Sequence, residues 1–478
     1  MNATLASLPS WATGLGILAS ALALLALLLL AGSLLGRRLG VHQWGIPEAL
    51  LAGTLGLLLA PGGGVVSLIP ASIIAIWDQL PLILLTLVFG TLLVGKPLPK
   101  VNGLLRPLGA QMMLALTLAF GQYLVAALAV LLVLQPLLHV SPVMACLIEV
   151  AYEGGHGSAA AMGPTYERLG VEGGQALGLA MATVGLLTST VVGGLVVVIA
   201  RQRGWLMTPS ALPVPPAKNE ARAATATMAP PKTANEPPTS AAEMGQAAGL
   251  VRRWALNLAL VGIAVGIGCG LMALLQLLAA RTGGGFAVVI DALPVFPLAL
   301  IGSLLVRLTL ERSGQGNLAC PRIQSRLATL SADLLIVAAT ACLDLSLLAR
   351  DWLPLSVLAV IGLVWNLAVV LILARRTLPA PWFERGILEF GQATGVAASG
   401  LLLLNMADPA DQSDALTPFS IKQLLLQPLL AGGVITVMAP LAIAGWGLQV
   451  WTVVCLALTL LWISLAFVLA RRPAQAAP

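Results

Sequence analysis

The stretch from Glu149 to Met162 reads EVAYEGGHGSAAAM and combines two carboxylates, an imidazole and several glycines between long apolar runs. Within a bilayer, polar non-helical backbone is tolerated only where protein buries it or a water-filled cavity reaches it. Ionisable groups at that depth mark functional sites by default. The stretch is therefore predicted to be the turn of a re-entrant hairpin, in which Glu153 ends one short helix, residues 154–157 form the tip and Ser158 opens the next helix.

The helix ends in such a hairpin carry unpaired backbone groups that a transported solute could satisfy. The first N–H groups and the last C=O groups of a helix have no partner within the helix. The helix starting near Ser158 offers donors for a carboxylate, and the helix ending near Glu153 offers carbonyls for Na⁺. Glycine permits the turn and lets a ligand approach the backbone closely. The candidate substrate contacts in this hairpin are Glu153, Gly154, Gly155, His156, Gly157 and Ser158.

Each polar side chain of this hairpin also has a structural interpretation. Glu153 is equally suited to contacting an ion or substrate and to bracing its own hairpin. Glu149, one turn earlier, is better explained by a bond to a neighbouring helix. His156 could touch substrate or respond to pH, or its ring could be satisfied by local carbonyls. Ser158 could bind ligand, cap its helix, or do both.

A second stretch with an acid and glycines is predicted to form a matching hairpin at 382–406. There Glu389 precedes Gln392, Thr394 and Gly395, which would form a tip of the same kind from the opposite face. If both tips meet, they enclose one site between them.

Two further polar residues, Asp333 and Asn366, lie in the middle of apolar runs. Inward-facing polar groups in such runs often line ion paths, although an interhelical hydrogen bond explains them equally well. The candidate ion-binding residues are Glu153, Asp333, Asn366 and Glu389.

The composition predicts an all-α integral membrane protein with many spans. Of the 478 residues, 59% are hydrophobic and 9% are charged, which is more apolar surface than a soluble core of this length can hide. The net charge of +6 is explained by topology and does not indicate nucleic-acid binding. The five cysteines show no CxxC spacing, so neither a disulfide frame nor a metal cluster is expected.

Apolar runs bounded by charges or by Pro and Gly clusters predict eleven crossings and two re-entrant hairpins. No basic residue precedes the first run, so it is expected to be a retained span rather than a cleaved signal peptide. The hairpins are expected at 141–168 and 382–406. The crossings are expected at about 13–35, 46–60, 73–95, 108–138, 174–200, 255–280, 287–308, 327–349, 353–374, 421–445 and 446–470.

The distribution of basic residues predicts the orientation. With the N-terminus outside and the C-terminus inside, all of the 25 Lys and Arg residues except Arg168, Arg281 and Arg350 fall on the inner side. Lys422 is counted among the inner residues. Such a bias towards the inside is the usual pattern of multi-pass membrane proteins.

The Pro-, Ala- and Thr-rich segment 206–250 is predicted to be a disordered cytoplasmic linker. It divides the chain into a first five-helix repeat (1–205) and a second (251–445), followed by an extra span and tail (446–478). Because five is odd, the second repeat enters the membrane from the opposite side. An inverted repeat is therefore predicted.

Several motifs resemble the bacterial sodium/glutamate symporter family. The likeness is strongest in GGHGSAAAMGPTYERLG (154–170) and ALGLAMATVGLLTSTVVGG (176–194), and it extends to IPEALLAG (46–53), LSADLLIVAATACLDLSLL (330–348) and FGQATGVAASGLLLLNMADP (390–409). Two departures occur. Glu153 stands where many members have Ser, and the second hairpin lacks the GFGLGATP-like form.

The resemblance implies a homodimer in a bacterial inner membrane that couples L-glutamate uptake to Na⁺ entry by an elevator-like motion, with no other cofactor. An additional acid at Glu153 would repel an anionic substrate unless Na⁺ or a proton intervenes. By position in the family motifs, the implied substrate contacts are Gly154, Gly155, His156, Gly157, Ser158, Gln392, Thr394, Gly395 and Ser399.

Two other functional classes are compatible with the same residues. A cation/proton exchanger or channel could use Glu153, Glu389 and Asp333 as a relay, and it would carry ions without an amino acid. A membrane enzyme could use Glu149, Glu153 and His156 as an acid–base or metal cluster. No HExxH, nucleophile elbow or phosphate loop accompanies these residues, so an enzyme is disfavoured.

Overall fold

The computed structural model describes most of the chain, and 86% of that part is helical, without a strand among the described residues. The all-α class is therefore confirmed. The part that the structure describes consists of residues 10–40, 47–61, 68–95, 105–207, 240–282, 287, 290, 293–343, 349–409 and 412–471.

The helices are numbered here in chain order, and two of them contain a π-helical segment. Helix α4 continues through Val130–Leu134 to Gln135–Leu138, and α11 continues through Val369–Ala374 to Arg375–Thr377. The α-helices of the described part are α1 (Ser10–Leu39), α2 (Glu48–Leu59), α3 (Ala71–Leu92), α4 (Leu105–Ala129), α5 (Leu147–Tyr152), α6 (Gly155–Arg168), α7 (Gly174–Gln202), α8 (Ser240–Thr282), α9 (Phe296–Arg312), α10 (Pro321–Ala341), α11 (Trp352–Ala368), α12 (Trp382–Ala407), α13 (Leu416–Leu426), α14 (Val434–Trp446) and α15 (Leu448–Arg471). Two short 3-10 helices, Pro142–Cys146 and Gly316–Leu318, are not numbered.

Eight helices in the described part are long and apolar enough to cross a membrane, namely α1, α3, α4, α7, α8, α11, α12 and α15. The chain is thus a multi-pass membrane protein. The predicted crossings at 46–60, 287–308, 327–349 and 421–445 do not appear among these eight. Helices α2 and α9 have only 12 and 17 residues, α10 begins with a polar first half, and the last crossing is interrupted.

The interruption at 427–433 corrects the prediction of one continuous span at 421–445. Helix α13 ends at Leu426 and α14 begins at Val434. Pro428 lacks the N–H that would continue the helix, and Gly432 has a φ of +92°, a conformation that favours glycine. The chain therefore turns at Gly432, between the two helices.

The helices pack in two groups, one around α3 and α10 and the other around α4 and α7. In the first group α3 packs along α10, α2 packs on α10, α9 packs on α3, and α1 and α8 pack outside α2 and α9 respectively. In the second group α4 contacts α11 and α15, while α7 contacts α5, α6 and α12. Helix α7 therefore touches α-helices of both predicted hairpins.

The predicted linker ends earlier in the chain than its composition suggested. Helix α8 begins at Ser240, so residues 240–250 are helical rather than irregular. Their Ala-rich sequence, SAAEMGQAAGL, favours a helix by intrinsic propensity. Residues 208–239, which contain most of the predicted linker, lie outside the described residues.

Glycines allow the outer helices to approach closely. Gly302 of α9 packs directly against the backbone of Ala264 in α8, so that no space remains for a Cβ atom. Gly266, two residues further along α8, is exposed and has no atom within 4 Å of the position of a Cβ.

We therefore expect Gly302→Ala and Gly266→Ala to have opposite effects. Gly302→Ala should lower the stability by about 1–3 kcal/mol because the helices must move apart. Gly266→Ala should be neutral or stabilise by up to about 1 kcal/mol because alanine favours the helix. Thermal unfolding of the purified protein in detergent measures both, and equal losses in the two variants would contradict this packing.

Candidate functional site

The predicted first hairpin contains a helix break two residues long. Helix α5 ends at Tyr152 and α6 begins at Gly155, whose φ is +68°. The predicted tip at 154–157 is therefore displaced, because Gly157 already lies in the first turn of α6. Ser158 does not open or cap the helix. Its hydroxyl donates a hydrogen bond of 3.5 Å to the Ala431 carbonyl instead.

The predicted second hairpin contains a break inside α12. Gly395 (φ −149°, ψ 38°) and Val396 (φ 64°, ψ 170°) are both non-helical. Val396 is a β-branched residue in a region of φ and ψ that is almost restricted to glycine, which costs on the order of 1–3 kcal/mol and persists only where the surroundings impose it. The location of the break matches the predicted tip at Gly395.

The two breaks are in direct contact. A Cβ atom placed on Gly155 would lie 3.8 Å from the Cβ atom of Val396. A Cβ atom placed on Gly185 of α7 would collide with both the Thr394 carbonyl and the Tyr152 ring, so Gly185 packs closely against residues next to both breaks. The structure thus brings together two helix breaks, in the two stretches where the sequence predicted hairpin tips.

Glu149 is fully buried and joins three elements through its carboxylate. It accepts hydrogen bonds from the Tyr123 hydroxyl of α4 at 2.5 Å, the Thr436 hydroxyl of α14 at 2.9 Å and the Ala431 backbone N–H at 3.1 Å. Every donor comes from a different element or from the 427–433 interruption. This geometry agrees with the structural interpretation of Glu149.

Glu153 differs from Glu149 in having an unpaired oxygen. It is 6% exposed, and its Oε2 atom has no hydrogen-bond partner among the described residues. Lys422, Glu149 and Glu389 all lie within its electrostatic range. A buried carboxylate oxygen without a partner is costly, so Glu153 is the strongest candidate in the site for binding a cation.

The second break contains a buried ion pair that sequence reasoning missed. Lys422, at 1% exposure, donates to Glu389 Oε2 at 2.8 Å and to Gln392 Oε1 at 2.9 Å. The sequence analysis assigned Lys422 to an inner loop, and the structure corrects this because α13 holds it against the first arm of α12. Its position at the edge of an apolar run was the one available signal.

Polar side chains from two other helices satisfy the backbone at the second break. Asn366 of α11 donates to the Ala393 carbonyl at 2.9 Å and to the Thr394 hydroxyl at 3.0 Å. Gln122 of α4 donates to the same carbonyl at 2.6 Å. The Ser399 hydroxyl donates to the Gly395 carbonyl at 2.6 Å. These bonds favour the interhelical interpretation of Asn366.

The two remaining candidates lie at different distances from the breaks. His156, in the first turn of α6, bonds through Nε2 with the Thr183 hydroxyl of α7 at 3.0 Å, so its ring is satisfied by a neighbouring helix rather than by local carbonyls. Asp333 of α10 is half-buried beside Glu48, which accepts a bond from Ser33. Asp333 therefore belongs to a separate polar group.

The arrangement at the breaks is chemically suited to a cation. Among the described residues, three buried carboxylates, those of Glu149, Glu153 and Glu389, share this region with one buried ammonium, that of Lys422. If all four are ionised, negative charge is in excess, and burying such an excess is unfavourable unless a cation or protons compensate it.

Neither the family models nor the curated proteins contain a match to this sequence, so the family resemblance stays a prediction.

The hydrogen bonds predict different responses to removing the two carboxylates of the first hairpin. Glu149→Leu should destabilise the protein, because it leaves three donors without an acceptor at about 1–3 kcal/mol for each group. Glu153→Leu should cost little or even stabilise, because it removes an oxygen that lacks a partner. Thermal unfolding in detergent compares the two. A larger loss for Glu153→Leu would contradict these assignments.

Proposed function

We propose that the protein is a secondary active transporter that couples uptake of L-glutamate, or of a related acidic amino acid or carboxylate, to entry of Na⁺. The observation that supports this most strongly is the contact between two helix breaks, Gly155 on one side and Val396 on the other, at a buried and charged centre. Interrupted helices whose ends converge are typical of binding sites in transporters with internal repeats.

The lengths of the broken helices support re-entrant hairpins in each half. Helix α5 has 6 residues and α6 has 14, which corresponds to about 21 Å for the longer one. A hydrocarbon core is about 30 Å thick. Neither helix can cross alone, so we propose that they enter and leave on the same side. Helix α12, whose 26 residues are interrupted at Gly395, would do the same from the other side.

Paired features support an inverted repeat with the boundaries 1–205 and 251–445, and α15 as the extra span. Each proposed repeat has a fourth helix with a π-helical segment near its end, Val130–Leu134 in α4 and Val369–Ala374 in α11. The contacts between helices also match across the two proposed repeats. The contact of α1 with α2 corresponds to that of α8 with α9, and the contact of α2 with α10 corresponds to that of α9 with α3. The N-terminus would be outside and the C-terminus inside.

Na⁺ would supply the countercharge that an anionic substrate needs in a site of low dielectric constant. We place Na⁺ beside Glu153, because its Oε2 atom lacks a partner. The N-terminal end of α6 would provide backbone donors for a substrate carboxylate. Glu153 could alternatively receive the substrate's amino group, and the two arrangements differ in their dependence on Na⁺.

The proposed setting is the inner membrane of a bacterium, where the protein would work as a homodimer. Lipid and the second copy would cover the exposed apolar faces of α1, α8 and α15, which include Leu27, Val251 and Val453. In the proposed elevator-like motion, the group of helices around α7 would move as a unit, because α7 packs against both breaks.

A cation/proton exchanger is the second candidate, and one observation favours it. Glu153, Glu389 and Lys422 lie within electrostatic range of one another, which is compatible with a relay that needs no organic substrate. Asp333, the third member of the predicted relay, lies beside Glu48 instead. The shorter relay would then consist of Glu153 and Glu389 alone.

Uptake by proteoliposomes tests the proposal. Labelled L-glutamate should accumulate under an inward Na⁺ gradient and fail to accumulate when choline replaces Na⁺. Glu153→Gln should shift the Na⁺ concentration that supports half-maximal uptake, because it removes the proposed countercharge. Accumulation without Na⁺ would overturn the coupling ion. Proton flux driven by Na⁺ without any amino acid would favour the exchanger.

A further inference from the structure

Lys422 is the most deeply buried cation of the described part of the chain, and it is held at one end of a helix arm. The other buried basic residues there, Arg307 and Arg385, are 7% and 5% exposed, compared with 1% for Lys422. Its ammonium contacts Glu389 and Gln392 and lies 4.4 Å from the centre of the Phe419 ring. The neighbours of the ammonium therefore include a carboxylate, an amide oxygen and an aromatic ring.

The two side chains that hold the ammonium lie near the C-terminal end of a helix arm. Glu389 and Gln392 lie in the last two turns of the first arm of α12, just before the break at Gly395. Carbonyl groups at the C-terminal end of a helix carry partial negative charge and favour positive charge nearby. A buried ion pair by itself adds little to stability compared with apolar packing, so stability alone does not explain why a lysine is placed there.

The first break has the same polarity but lacks a cationic side chain in contact. Glu153 is the residue that directly follows α5 at its C-terminal end. It is also buried, yet its Oε2 atom has no hydrogen-bond partner among the described residues. Glu389 also has an oxygen, Oε1, without a hydrogen-bond partner among the described residues, but its Oε2 atom is held by Lys422. The acid at one break is thus in contact with an ammonium, whereas no basic side chain of the described residues contacts the acid at the other.

We propose that the Lys422 ammonium is a built-in cation of the second break. It occupies there the position equivalent to the one that a mobile Na⁺ occupies beside Glu153 at the first break. The protein would then need one cation fewer from solution than two equivalent breaks would require. The identity of Na⁺ as the mobile ion rests on the proposed function, whereas the role of Lys422 is tested without any transport assay.

The test measures how Na⁺ changes the thermal stability of the purified full-length protein in detergent. Wild type, Lys422→Gln, Lys422→Arg and the double variant Lys422→Gln/Glu389→Gln are compared in NaCl and in choline chloride of equal concentration. Lys422→Gln leaves Glu389 without its cation, so Na⁺ should bind there and raise Tm by at least about twice the wild-type rise. Lys422→Arg and the double variant should respond like wild type, because one keeps a cation and the other removes the carboxylate.

The outcomes separate this proposal from the proposed function. A Na⁺ response of Lys422→Gln no larger than that of wild type would overturn the built-in cation, as would an enlarged response in the double variant. Lys422→Gln is purified in NaCl throughout. If it cannot be recovered although the double variant is stable, Na⁺ does not replace the ammonium and the proposal fails. Absence of glutamate uptake by wild type would overturn only the proposed function.

Discussion

Interrupting a helix inside a membrane protein leaves carbonyl and amide groups that must find other partners, and this requirement determines the centre of the molecule. At the second break the protein supplies its own partners, through Asn366, Gln122 and Ser399. At the first break Glu149 collects three donors, but the neighbouring Glu153 keeps an oxygen without a partner. The polar centre is therefore largely, but not completely, satisfied by protein.

Helix α7 connects the two breaks physically. Its Thr183 bonds with His156 of α6, and its Ser189 donates to the Gly391 carbonyl of α12 at 3.2 Å. Between these residues Gly185 allows both breaks to approach. A rigid helix with contacts to both sides implies that a displacement of one break would be transmitted to the other. In a transporter, such a connection would keep ion and substrate contacts in step.

The sequence predicted the features that depend on local chemistry. Glycine clusters beside an acid in an apolar run identified both breaks, and the bond of Glu149 to neighbouring helices followed from its position one turn before the first break. The prediction that Ser158 opens or caps its helix was wrong, because its hydroxyl bonds to the Ala431 carbonyl, which lies far away in the chain. Its role as a substrate contact stays a prediction. The interruption at 427–433 was missed because a pair of glycines in an apolar run indicates close packing as readily as a turn.

Lys422 illustrates what sequence patterns cannot supply. A lysine at the edge of an apolar run usually marks the membrane boundary, and only the packing of α13 against α12 reveals that its ammonium is buried on Glu389. Asp333, for which the sequence left an ion path and an interhelical bond equally open, lies beside Glu48 rather than at the breaks. Both depend on tertiary contacts between residues that are distant in the chain.

Contact between the two breaks is the central claim, and disulfide formation tests it most directly. With the five native cysteines replaced by serine, Gly155→Cys and Val396→Cys are introduced together and mildly oxidised. The 3.8 Å between the two Cβ positions matches the usual spacing in a disulfide, so the pair should cross-link efficiently. Gly170→Cys with Val396→Cys serves as the control, because a Cβ at Gly170 has no neighbour within 4 Å. Failure of the first pair to cross-link, or equal cross-linking in the control, would contradict a shared site.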